Sequence, residues 1–187
     1  MDAIEAIRTR RMLPKVRDDR PSRVQIEELL DLAVRAPCHH LTEPWRFIVL
    51  AGDERGRLGR AIADDAIERG TDAVDAKADG EKKVQRAPVI VVVTCVPSDE
   101  PDVVEREEFA SVAMAIENLL LAAHASGIGV MLRTGPVAYS KAIREHLELA
   151  PNEHVVGFVY MGYPAGDRSL TSRAKSSEHT RWVGWDT

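Results

Sequence analysis

A chain of 187 residues, 44% of them apolar and 29% charged, can bury one sizeable core and is short for two. Thirty acidic against 25 basic side chains leave a formal charge of −5, which argues against a nucleic-acid binder while leaving room for a local basic pocket. Residues 1–12 carry no apolar signal segment. The longest apolar runs, near 88–93 and 119–123, are too short to cross a membrane, and two cysteines, Cys38 and Cys95, make no disulfide framework, so a reducing cytoplasm is the expected setting.

In chain order, Asp2 is placed to cap a first helix with Ile4 and Ile7 on its apolar side. Arg8, Arg10 and Arg11 follow at its end, where cations suit the helix dipole. Residues 14–21 read as irregular. Ser22 with Gln25 forms a capping-box pattern, and Ile26, Leu29, Leu30, Ala33 and Val34 recur at helical spacing until Pro37. Residues 45–51 read as a buried strand closed by Gly52, and 53–69 as a helix with Leu58, Ile62 and Ile67 inward. Residues 70–85 read as a helix fragment or mobile loop. The run PVIVVVTCV at 88–96 is β-branched with no polar alternation, as suits a central strand covered on both faces.

After a loop at 97–102 comes the longest helix, 105–126. Phe109, Val112, Ala113, Ile116, Leu119, Leu120 and Ala123 fill its buried side, a stripe wide enough for packing on several sides, and Gly127 ends it. A short strand at 128–132, a helix at 139–149 broken by Pro151-Asn152, and a last strand at 155–161 stopped by Gly162-Tyr163-Pro164 complete the series. The tail 165–187 is polar apart from Trp182, Val183 and Trp185, which implies that it docks on something, such as a second subunit. Alternating helices and strands without repeats indicate one α/β or α+β layered domain over 1–187.

The chemistry-bearing residues narrow the function by exclusion. Cys38, His39 and His40 are adjacent, whereas zinc sites space their ligands, and Cys95, His124, His146, His154 and His179 are scattered, so no metal site is expected. No G-x-S-x-G elbow occurs, and Cys38 lacks any cysteine-hydrolase signature. Gly127-Ile128-Gly129 precedes a strand instead of following one, and position 132 is Leu132, so the dinucleotide fingerprint fails; no Walker A run occurs either. What remains is Arg10-Arg11, Arg35, Arg46 and Arg133-Thr134-Gly135. Each alone reads as a solvated charge. Brought together they would cradle a phosphate or carbonyl, because guanidinium binds phosphate bidentately.

Five stretches resemble the nitroreductase family of FMN flavoproteins, in family order and over nearly the whole chain. They are IRTRR at 7–11, RAPCHHLTEPWRF at 35–47, RAPVIVVV at 86–93, GIGVMLRTG at 127–135 and VVGFVYMGYP at 155–164. The resemblance implies an α+β fold with an antiparallel-rich sheet flanked by helices. It also implies an intertwined homodimer with the long helix at its interface, and FMN in the two clefts between subunits. Arg10 and Arg11 would then meet the FMN phosphate and the flavin's polar edge, with Met12 where serine is common. Arg35 and His39 would reach across to the partner's FMN, and Leu132, Arg133 and Thr134 would complete the phosphate or ring contacts. His40 stands where relatives often carry a basic residue, and 121–126 resembles a nicotinamide-nucleotide segment.

The implied activity takes hydride from NADH or NADPH and passes it, by a ping-pong mechanism, to a small-molecule acceptor such as a nitroaromatic or quinone, with no catalytic side chain. A non-catalytic flavin-binding or dimeric stress protein is the alternative. Neither a nucleic acid nor a membrane is an expected partner.

Overall fold

The computed structural model of the protein describes residues 1–166 and 169–185. Among these residues four strands form one sheet: β1 (Trp45–Ala51), β2 (Val89–Cys95), β3 (Gly129–Arg133) and β4 (His154–Gly162), in the order β1-β2-β4-β3. Every pairing is antiparallel, so of the two layered classes open to the sequence the fold is α+β. Among the described residues six α-helices accompany the sheet: α1 (Ala3–Thr9), α2 (Arg23–Ala33), α3 (Asp53–Glu68), α4 (Ala73–Val84), α5 (Glu105–Ala125) and α6 (Lys141–His146).

The pleat of β2 explains its unbroken apolar run. Val89, Val91 and Val93 point to one face, where they pack with α2 and α5 through Leu29, Val112, Leu119 and Leu120. Ile90 and Val92 point to the other, onto Leu58 and Ile62 of α3, Val84 of α4 and Ile143 of α6. A strand covered on both faces has no solvent side to mark with polar residues. Burying each such side chain contributes roughly 1.5–3 kcal/mol.

The capping box of α2 forms as the pattern requires. Gln25 N–H donates to Ser22 Oγ at 3.2 Å, and Ser22 N–H donates to the Gln25 side chain at 2.9 Å. The segment left open as helix or loop is α4, started by Asp72, whose carboxylate accepts the N–H groups of Val74 and Asp75. It crosses α3 at a glycine pair: a Cβ at Gly80 would fall on the carbonyl oxygen of Gly59, so only two bare backbones can approach this closely.

Four expectations need correction. β1 is an edge strand and only partly buried, with Val49 exposed. In α3 it is Asp65, paired with Arg69, that is buried, while Ile67 is only half-buried. The helix expected at 139–149 is a 3₁₀ turn (Pro136–Tyr139) followed by the short α6, because Glu148 takes a left-handed φ of 54° that ends it. Along α5, Ala113 faces outward with Ala110 and Met114, and Phe109 is only half-buried; Glu108, Ser111 and Ala115 join the buried side instead.

From residue 169 to 185 the chain lies exposed. Trp182 and Trp185 keep 68% and 75% of their surface while touching edge to face, centroids 5.3 Å apart. Residues 167, 168, 186 and 187 of the expected docking tail lie outside the described residues. No described helix is long and apolar enough to cross a membrane.

Candidate cofactor site

Helix α1 ends at Arg10, whose extended backbone (φ −58°, ψ 135°) turns the chain away from the helix axis. The chain then runs along the free edge of β3: Leu13 N–H donates to Val130 O at 2.8 Å, and Leu132 N–H points at Met12 Sδ at 3.4 Å. This edge strip covers backbone groups that a bare edge would expose. It also places Arg10, Arg11 and Met12 beside the C-terminal end of β3. Together with Ile7 and Arg8 of α1, and with Leu170, Thr171 and Arg173 from the tail, they line a cleft of about 430 Å³.

Two contacts to α5 fix the strip. Arg10 Nε lies 3.1 Å from Glu117 Oε1. Thr9 Oγ1 donates to Glu5 O at 2.7 Å and lies 2.8 Å from His124 Nε2. With the hydroxyl proton given to the carbonyl, the imidazole must donate, so Nε2 carries the hydrogen. Burial, with help from the charges of Arg11 and Arg10, holds the His124 pKa below its ordinary value. The imidazole is therefore a neutral prop beside a cationic cleft.

The second cluster sits elsewhere. Arg35 is exposed just past α2, and His39 and His40 occupy the loop before β1, rings 4.0 Å apart. His39 Nδ1 lies 2.8 Å from Glu107 Oε2 on α5. This loop is strained: His40, Leu41 and Glu43 all hold left-handed φ values of 58°, 55° and 48°. Leu41 is held outward, 81% exposed. Cys38 Sγ lies 3.3 Å from the Glu43 N–H and 3.5 Å from Thr42 Oγ1, and Arg46 Nη1 donates to the carbonyls of Glu43 and Trp45. Cys38 and Arg46 are thus staples of the loop, and Arg46 does not join the arginine cleft.

Helix α5 measures the gap between the clusters. Glu107 and Glu117 are ten residues apart, so His39 and Arg10 hang from points about 15 Å apart along one helix. Within one chain they do not meet. Between the two carboxylates the exposed stripe of α5 carries Ala110, Ala113 and Met114, small or flexible residues that allow close approach of another surface.

The third cluster divides. Leu132 faces the α2/α5 side and packs against the same core as Met12, whereas Arg133, one residue on, points to the opposite face of the sheet. There it lines a small separate cavity with Arg86 and Tyr160. The cradle expected from Arg10, Arg11, Arg35, Arg46 and Arg133 is therefore not assembled in one chain. Arg10 and Arg11 meet Arg8 and Arg173 instead. Neither of those two stood out in the sequence: Arg8 reads as a helix-ending cation, and Arg173 lies some 160 residues from its cleft partners.

Among the described residues no group of three His, Cys, Asp or Glu side chains is placed to hold a metal. Cys95 is buried, and burial with the nearby Glu108 and Glu105 pushes its thiol up to about 12, so it is not a nucleophile.

The family model for the nitroreductase family matches residues 7–163. YdjA of Escherichia coli K12, provisionally named an NAD(P)H nitroreductase, is 31% identical over 165 residues, spanning 88% of this chain and 89% of that protein. YfhC of Bacillus subtilis, named in the same way, is 29% identical over 162 residues, spanning 86% and 83%. Among solved structures, a nitroreductase-like protein from Bacillus cereus superposes with a TM-score of 0.86 at 22% identity, covering 98% of this chain and 97% of that one. The FMN-dependent nitroreductase NfnB of Mycobacterium smegmatis, solved with NADPH, gives a TM-score of 0.77 at 20% identity, covering 97% of each.

Proposed function

The chain belongs to the nitroreductase family, and on that premise we propose that it is an FMN-dependent oxidoreductase. It takes hydride from NADH or NADPH and reduces small acceptors such as nitroaromatics or quinones, working as a homodimer in the cytoplasm. The observation that carries this reading is the cleft of four arginines, Arg8, Arg10, Arg11 and Arg173, in a chain that is acidic overall.

The donor set fits the cofactor. Guanidinium groups at the end of α1 match a phosphate, since each presents paired N–H donors and stays charged at any working pH. Met12 and Leu132 offer apolar surface beside them for a ring. In this reading Arg10 and Arg11, with Arg173, hold the phosphate end. Leu132, Arg133 and Thr134 meet the cofactor through the main chain, the Arg133 guanidinium lying on the far side of the sheet. Arg35 and His39 come from the other subunit, consistent with the roughly 15 Å of α5 between the anchors of His39 and Arg10 in their own chain. A two-fold axis near the middle of α5 would bring the Glu107 end of one copy over the Glu117 end of the other.

Bound FMN supplies the two-electron chemistry that no side chain of this set can perform. The protein's residues bind, orient and shield. The arginines supply positive charge, His124 stays neutral and buttresses Thr9, and the His39–Glu107 pair fixes the loop that carries Leu41 outward. No side chain acts as a covalent nucleophile. Reductant and acceptor take turns at one place, so initial velocities at several fixed acceptor concentrations should give parallel double-reciprocal lines against NADPH or NADH. Lines that intersect would contradict the ping-pong order, and failure of both nucleotides to reduce the flavin would contradict the activity.

A further inference from the structure

A second cationic site lies on the opposite face of β3. We propose that the small cavity bounded by Arg86, Arg133 and Tyr160 binds a monatomic inorganic anion of chloride size, independently of the arginine cleft.

The cavity lies under the edge strip. Leu13 and Val16 form its outer wall, fixed by the bond from Leu13 N–H to Val130 O and by the bridge between Val16 and Pro164. Met131 and Tyr160, paired across β3 and β4, form its floor. Arg133 enters from the end of β3 and Arg86 from the turn before β2. Among the described residues no Asp or Glu lines it, and the one carboxylate on which Arg86 acts, Asp79, lies outside the cavity.

The two guanidiniums stand out against the protein's other half-buried arginines. Arg55 donates through Nη1 to the carbonyls of Val84 and Ala87, although its Nε, like that of Arg133, is buried without a partner among the described residues. Arg144 donates to those of Ala150, Pro151 and Glu153. Arg10 faces Glu117. Arg86 and Arg133 form no ion pair among the described residues, and Arg133 Nε is buried with no hydrogen-bond partner there. Both charges border one small space, so an anion between them would offset their mutual repulsion and give the Arg133 Nε–H an acceptor. Both also act on the Tyr160 phenol: burial pushes it up while Arg86 and Arg133 draw it down. Its O–H is a third donor for the same anion.

Size selects the ligand. The space is about 10 Å³, near one water-sized sphere. A phosphate or a carboxylate-bearing metabolite does not fit, which separates this site from the 430 Å³ cleft on the other face. A water molecule fits but carries no charge to offset the pair.

The test uses full-length, FMN-loaded protein crystallised in sodium bromide. An anomalous bromide peak between Arg86 and Arg133 is the expected result, with no peak there in Arg86→Met or with reduced occupancy in Tyr160→Phe. In solution, chloride should raise the melting temperature more than gluconate at equal ionic strength, and Arg86→Met should lose that difference. Absence of bromide from this cavity in the wild type, or bromide only in the Arg8–Arg11 cleft, overturns the proposal. So does a chloride effect unchanged in Arg86→Met. The wild-type bromide map stands even where a variant fails to fold. Loss of FMN binding would count against the proposed function and leave the bromide result to be read separately.

Discussion

At the scale of single residues, the opening arginine pair and His124 carry the sharpest consequences. Arg10→Ala removes a charge-assisted contact and should weaken FMN binding by about 1.5–3 kcal/mol, checked by fluorescence titration. The His124 pKa is lowered by burial and by Arg11 and Arg10. Above its ordinary value of 6.5 both folded and unfolded chains carry a neutral ring, and stability is whole. As the pH falls below that value the unfolded chain takes up a proton that the folded chain resists, so stability declines. His124→Gln should flatten this acid limb in urea-melt midpoints measured from pH 7 to 5; an unchanged slope would place the acid sensitivity elsewhere. The arginine pair was legible because its members are adjacent and close a capped helix. The divergence of Leu132 and Arg133 was also legible: neighbours on a strand face opposite ways, so the two cannot serve one pocket with their side chains. Arg173 gave no local signal, since only the chain's path brings it to α1.

At the scale of elements, legibility followed the size of the side chains that mark a buried face. The runs in β2 and α5 declared themselves, as did the capping box of α2. Helix α4 did not, because its buried face is Ala76, Gly80 and Val84. Small residues leave little periodic signal, yet they are what its close crossing with α3 requires. Gly80→Ala should therefore destabilise the protein by about 1–3 kcal/mol despite the better helix propensity of alanine, a sign that chemical denaturation decides. Ile90, fully buried in β2, should cost about 2–5 kcal/mol when cut to alanine. The early end of the helix expected at 139–149 depends on the left-handed Glu148, a residue type that gives no warning of that conformation.

At the scale of the whole molecule, the sequence left parallel and antiparallel sheets open, because strand order depends on crossovers that periodicity does not encode. The resemblance to a known family closed that gap, and the antiparallel order β1-β2-β4-β3 agrees with it. The exposed stripe of α5, the outward Leu41 and the two tail tryptophans are surfaces that a second copy would cover. Should the site be shared, coexpressing Arg10→Ala chains with His39→Ala chains should restore about a quarter of wild-type sites, since half the random dimers are mixed and each mixed dimer holds one intact site. Restoration absent at every ratio would confine each site to one chain. The most direct measurement is calorimetric titration of FMN into the purified full-length protein and its Arg10→Ala variant. One FMN per chain in a dimer is expected, with a dissociation constant raised roughly ten- to a hundredfold in the variant. Heatless titration of the wild type, or equal constants for the two proteins, would contradict it.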